Sequence, residues 1–231
     1  MDVDAPTEFA AAGLAAAANP DKAAPMAAYM KTEQPFYGAQ KPARTEVFNE
    51  IVTRFAPESR KDYQRGVLAL WGRPHREEQY LAIGYARAFP SFVTLSSVPL
   101  YRRLIVEGAW WDFVDGIAIG LVGSVLRNQR DQMTPRVRAW IDDPDMWLRR
   151  TAIISQVGRK ELTDESLLFD ACGARLHERE FFIRKAIGWA LRDYAKTNPE
   201  AVTGFVIERK EDLSSLSFRE ATKHLDLSRR P

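Results

Sequence analysis

Five short segments share one pattern, and their spacing restricts the fold more than any other feature of the chain. They are Gln79-Tyr80-Leu81-Ala82-Ile83, Asp115-Gly116-Ile117-Ala118-Ile119, Arg149-Arg150-Thr151-Ala152-Ile153, Arg184-Lys185-Ala186-Ile187 and Arg219-Glu220-Ala221-Thr222. The alanines stand at 82, 118, 152, 186 and 221, so successive positions differ by 36, 34, 34 and 35. A step of that size holds two helices of about 12–14 residues and two short turns, the length of a helical-hairpin repeat. Alanine at a fixed point lets neighbouring helices approach closely, and Ile83, Ile119, Ile153 and Ile187 are placed to fill the layer between them. The expected fold is all-α, an α-solenoid of HEAT-like helical hairpins whose inner helices line a concave face. Little of the chain alternates in the two-residue period that strands require.

At the N-terminal end, Thr7 is placed to cap an alanine-rich helix over about residues 8–18, ended by Asn19-Pro20. A second helix is expected from Asp21 toward Lys31. The repeat domain is expected over residues 7–227, with residues 1–6 and 228–231 as disordered ends. A length of 231 residues with 45% hydrophobic and 28% charged content suffices for a sizeable core. The net charge of +2 excludes an indiscriminate polycation and leaves room for a local basic face. One cysteine, Cys172, excludes an internal disulfide framework, and His75, His177 and His224 are scattered rather than grouped as metal ligands. No cofactor and no metal are expected. The start of the chain has no cationic leader region, and no apolar run reaches membrane-spanning length. The expectation is a monomeric cytoplasmic protein without a membrane partner.

The polar residue two or three positions before each repeat alanine should be displayed in register along one surface: Gln79, Asp115, Arg149 or Arg150, Arg184 and Arg219. Any one of them taken alone reads equally as the solvated side of an amphipathic helix. Asp115 taken alone reads as the partner of a neighbouring arginine in an inter-repeat ion pair. Trp111 lies one helical turn before Asp115, Trp147 lies three residues before Arg150, and Trp189 lies four after Lys185. A concave surface that sets tryptophan beside arginine and an acid suits a polyanion such as a sugar-phosphate backbone. Trp110 and Trp111 cannot both face a core if both are helical, because adjacent helical residues diverge by about 100°. No Ser-His-Asp arrangement and no phosphate-cradling glycine loop occurs.

The chain resembles a known family through several longer stretches. They are Met26-Ala27-Ala28-Tyr29-Met30-Lys31, Trp110-Trp111-Asp112-Phe113-Val114-Asp115, Trp147-Leu148-Arg149-Arg150, the run from Phe181 through Trp189 to Pro199, and Arg219-Glu220-Ala221-Thr222-Lys223-His224. Together they are similar to the bacterial alkylpurine DNA glycosylases of the HEAT-like repeat type, the AlkD family, over about residues 25–225. The resemblance implies a catalytic carboxylate at Asp115, flanked by Trp111 and Trp189 beside the damaged nucleotide. It implies that Arg150 holds the DNA backbone next to the lesion, with Tyr29 and Arg192 as further contacts. The wider basic face would add Arg149, Arg184, Lys185, Arg219 and Lys223. After Gln156-Val157 this chain has Gly158 where the resemblance leads one to expect a basic residue, and Arg159 is the candidate replacement.

The implied partner is double-stranded DNA containing alkylated purines. A purine alkylated at N3 or N7 is already cationic and departs neutral, so no general acid is required. What needs stabilising is the positive charge growing on the sugar, a task for one fixed carboxylate that also orients water. The resemblance further implies that the nucleotide is handled without being enclosed, so bulky cationic adducts would be tolerated. The competing expectations keep the fold: a non-catalytic repeat protein that binds damaged or branched DNA, or a protein-binding scaffold.

Overall fold

The computed structural model describes residues 4–226. Among them the chain is helical, with no strand. Met1–Val3 and the expected disordered tail at 228–231 lie outside the described residues. Contacts gather into two compact units that divide after Leu100, whereas the spacing alone led to one array over residues 7–227.

The first unit holds α1 (Asp4–Ala16), α2 (Pro20–Met30), α3 (Lys41–Arg54), α4 (Arg60–Trp71) and α5 (Arg76–Ala88). Helix α1 starts earlier than expected. Asp4, Ala5 and Pro6 are its first residues rather than part of a disordered end, and the Thr7 hydroxyl donates to the Asp4 carbonyl at 2.8 Å instead of capping a later helix. Proline at the first turn leaves no intrahelical donor unmade, which is why the helix can begin there. Asn19 accepts from the Asp21 backbone N–H at 3.1 Å and so starts α2 at the proline. Helix α1 packs on α3 and α4, and α5 packs on both α3 and α4. Leu14, Ile51, Tyr63, Val67, Leu70 and Tyr85 are fully or almost fully buried there. The two buried tyrosines are satisfied by backbone carbonyls, Tyr63 by Ala86 at 3.0 Å and Tyr85 by Phe55 at 2.7 Å.

The second unit takes in most of α6 (Val98–Gly108), then α7 (Trp111–Ile117), a π-helical segment over Ala118–Val122 and α8 (Gly123–Asn128). Three pairs of consecutive helices follow: α9 (Arg130–Ile141) and α10 (Met146–Ile154), α11 (Glu165–Gly173) and α12 (Phe181–Tyr194), and α13 (Pro199–Glu208) and α14 (Ser215–Ala221). Each second helix touches the next, so that α7, α10, α12 and α14 follow one another in space. Side-chain caps fix where these helices begin. Asp145 accepts from the N–H groups of Trp147 and Leu148, Asp164 from Leu167, Asn198 from Ala201 and Ser214 from Ser217.

The repeat positions behave as the spacing requires. Ala82, Ala118, Ala152, Ala186 and Ala221 are all buried, the most exposed at 3%. Ile83, Ile153 and Ile187 are buried as well. Ile119 is the exception, half-buried within the π-helical segment, where the wider turn rotates it off the packed stripe. Cys172, on α11, is completely buried, and burial pushes its thiol pKa far above the ordinary value. No helix among the described residues is long and apolar enough to cross a membrane.

Candidate active site

Helix α7 opens at Trp111, with Trp110 as its extended N-cap residue at φ −151° and ψ 147°. The two tryptophans are therefore not adjacent helical residues, and both are half-buried. Trp110 packs against Trp147 and Phe182 with ring centroids 6.2 and 5.3 Å away, and its indole N–H is buried without a partner. Trp147 closes this cluster from the core side at 7% exposure, so it presents no face to a ligand. Trp111 and Asp115 share one face of α7, a single turn apart, as their spacing predicts.

Asp115 does not stand alone. Arg150, on α10, grips it fork to fork, with Nε on Oδ1 and Nη2 on Oδ2, both at 2.8 Å. The remaining terminal nitrogen, Nη1, donates to the Phe182 carbonyl at the start of α12 at 2.6 Å. One guanidinium thus fastens three successive helices. The Arg150 side chain is 4% exposed and that of Asp115 17%, so the pair sits at the surface's edge with the acid outermost. Burial pushes the Asp115 carboxyl pKa up, the hydrogen bond and charge of Arg150 pull it down, and Asp112 adds a smaller upward push. The outcome is a raised value. A guanidinium that never loses its charge, bound in this geometry, still favours the carboxylate form of its partner.

The other expected basic residues of the second unit divide into four kinds. Four of Arg149's five N–H groups are engaged: it forks onto Glu178 at 2.8 and 3.1 Å and donates to the carbonyls of Asp143 and Pro144. Lys185 and Arg192, both on α12, share Glu220 of α14; Lys185 reaches one carboxylate oxygen at 2.7 Å and Arg192 bonds the other. Glu220 stands over Gly188, where a Cβ would come within 2.5 Å of the Glu220 Cβ, so glycine is what lets α14 lie this close. The Glu220 pKa is lowered, chiefly by the hydrogen bond from Lys185. Arg219 and Lys223 are exposed and have no ion-pair partner among the described residues. Arg184 is half-buried with its Nε unpartnered.

Sequence reasoning missed Glu220, although a signal was there. The pairs Asp115–Arg150 and Lys185–Glu220 each span 35 residues, one repeat step. Gln79, the counterpart of Asp115 in the first unit, is engaged locally, accepting from Gln34 at 2.7 Å and donating to the Trp71 carbonyl at 3.1 Å. Tyr29 lies on α2 of the first unit and is 72% exposed.

Gly158 has φ +79°, which explains a glycine where a basic side chain was expected. Its N–H donates to Asp193 at 2.5 Å. Arg159 turns inward and donates from Nη2 to the Ile119 carbonyl at 2.9 Å, inside the π-helical segment that follows α7. Burial and the neighbouring Arg127 lower its pKa. It supports the turn behind Asp115 rather than replacing an outward basic contact. Among the described residues no group of His, Cys, Asp and Glu is placed to hold a metal ion.

No curated protein matches this chain. Among solved structures it is similar to a predicted DNA alkylation repair enzyme from Enterococcus faecalis, with 33% identity, 90% of this chain and 96% of that one covered, and a TM-score of 0.82. Residues 10–225 match the family described as DNA alkylation repair enzyme, which takes in both the Asp115–Arg150 pair and the Glu220 cluster; the chain belongs to that family.

Proposed function

We propose that this protein hydrolyses the N-glycosidic bond of cationic N3- and N7-alkylated purines in duplex DNA, 3-methyladenine and 7-methylguanine among them. The observation that carries this reading is the seating of Asp115, a carboxylate fixed by two parallel hydrogen bonds and still partly open to solvent. Each of its oxygens accepts one N–H and keeps a further lone pair for a water molecule or a sugar. The C1′–N bond breaks with its electron pair leaving on the base, which neutralises the alkylpurine's charge. Positive charge grows on the deoxyribose, and a fixed anion beside it stabilises that state without having to reorganise. Water then forms the C1′–O bond and gives up a proton toward Asp115 or solvent.

In this reading Arg150 is a positioning residue first. Three of its five N–H groups are committed to the protein and its side chain is 4% exposed, so in this reading any phosphate contact is left to the two that remain. Trp111 and Trp189 supply flat apolar surface for the deoxyribose and the lesion. Outward cation contacts fall to Arg219 and Lys223, with Lys185 and Arg192 joining when they leave Glu220. Arg149 takes no part, since four of its five N–H groups are held within the protein. Substrate choice follows the lability and charge of the leaving base, so bulky cationic adducts are released and uracil and hypoxanthine are not.

The Asp115–Arg150 pair is also what a purely structural joint would look like, and it favours a second reading, a non-catalytic protein that binds damaged DNA. One experiment separates the two. Purified protein is incubated with methylated duplex DNA and free 3-methyladenine and 7-methylguanine are measured, wild type against Asp115→Asn. The proposal expects release by wild type and a loss on the order of ten- to a thousandfold in the variant, with DNA binding nearly unchanged. Binding without base release by wild type establishes the second reading instead.

A further inference from the structure

We propose that the first unit carries a separate nucleotide-binding cleft between α3 and α5, with its phosphate held by Lys41, Arg44 and Arg87 and its ring laid on Tyr80 and Phe48. The cleft has a volume of about 560 Å³, within the size range of small-ligand sites. All five residues line it, together with Gly84. A Cβ at Gly84 would come within 2.9 Å of the Phe48 ring, so glycine is what lets that ring lie across the floor.

The charge arrangement is the reason to expect an anion. Lys41 and Arg44 stand in the first turn of α3, where the helix dipole already presents positive charge. That turn contains no acid, and Gln40 at the N-cap makes no side-chain cap. Cations belong at the other end of a helix, so two of them here are unfavourable until an anion joins them. None of the three cleft cations has a carboxylate partner among the described residues. Elsewhere in this unit Arg54 pairs with Glu50 and Arg73 with Glu78, so acids are not lacking.

The aromatic wall narrows the anion's identity. The Arg44 guanidinium lies 5.4 Å from the centroid of the Tyr80 ring, which orients it toward the cavity's aromatic side. A planar ring joined to a phosphate meets both features at once, whereas inorganic phosphate uses only the cations. The shared chemistry is that of a nucleotide, either free or as part of a DNA strand. None of these residues belongs to the second unit, so the cleft stands independently of the role given to Asp115.

Equilibrium dialysis of the full chain tests this, with deoxyadenosine monophosphate, deoxyadenosine, inorganic phosphate and a short single-stranded oligonucleotide as probes. The variants are Arg44→Gln with Arg87→Gln, and Lys210→Gln as a control for lost charge outside the cleft. Thermal melting of each confirms that these surface changes leave the fold intact. The expected result is one saturable site for the monophosphate, tighter than for phosphate or deoxyadenosine. It should weaken about tenfold or more for each cation removed and stay unchanged in Lys210→Gln and Asp115→Asn. Oligonucleotide binding lost in the cleft variant, without monophosphate binding, supports the site with a strand as its source. No saturation by either probe up to about 10 mM, or equal binding by wild type and cleft variant, overturns the proposal.

Discussion

At the scale of single residues, the Asp115–Arg150 pair decides what can be tested. Arg150→Met leaves a largely buried carboxylate without its partner and strips the Phe182 carbonyl of its donor. The expected cost is about 3–5 kcal/mol in chemical denaturation. Adding Asp115→Leu to it should restore part of that loss, because the unpaired charge is then gone; a double-mutant cycle reads the coupling. The proposed base release needs Asp115 as an anion, so the raised pKa predicts an acid limb above the ordinary carboxylate value. Its effect on stability has the opposite sense. The folded protein holds this proton more tightly than the unfolded chain does, so the group favours folding at low pH, and that contribution is lost as pH rises through its folded pKa. A pH–rate profile placing the limb at or below the ordinary value contradicts the burial described here.

At the scale of helices, the contact of α12 with α14 turns on Gly188 and Glu220. Gly188→Ala places a methyl 2.5 Å from the Glu220 Cβ and 3.0 Å from the Ser217 carbonyl oxygen. Backbone has to give, at about 1–3 kcal/mol by denaturant titration. The lowered pKa of Glu220 works in the usual carboxylate sense: its contribution is present above the unfolded value and is lost as pH falls through the folded one. Glu220→Gln should therefore flatten the acid side of the stability–pH curve, and an unchanged curve would show that the cluster carries no such weight. The helices themselves were legible in the chain. Alanine every 34 to 36 residues marks the tight point of each hairpin, and the buried alanines bear that out. The start of α1 differs from the expected one because Thr7 has the chemistry of a cap, while the first turn that precedes it tolerates Pro6. Which of Arg149 and Arg150 turns toward Asp115 was not legible, because neighbouring helical residues diverge by about 100° and only the position of the acceptor selects one. Glu220 is not legible from the register of Asp115, because Asp115 lies three residues before its repeat alanine and Glu220 only one, two residues out of that register.

For the molecule as a whole, family membership brings DNA alkylation repair and leaves the strength of the DNA contact to be measured. A net charge of +2 means that binding depends on where cations are free, not on the total. Among the described residues Arg219 and Lys223 have no ion-pair partner, whereas Lys185 and Arg192 are held by Glu220. Duplex binding should fall with salt at a log–log slope of about 0.9 per phosphate contact, and Glu220→Gln should steepen it by about 0.9 for each cation released. An identical slope in wild type and variant would mean that these two lysine and arginine side chains never reach DNA. The division after Leu100 was invisible in the spacing, since the alanine step passes from 82 to 118 without interruption. Burial of Cys172 acquires a meaning at this scale as well. A repair protein for alkylated DNA works when electrophiles are abundant, and a thiolate is the side chain they attack first. This chain has a single sulfhydryl, walled off within α11 and held protonated, so the agents that create its proposed substrate find no ready thiolate on the protein itself.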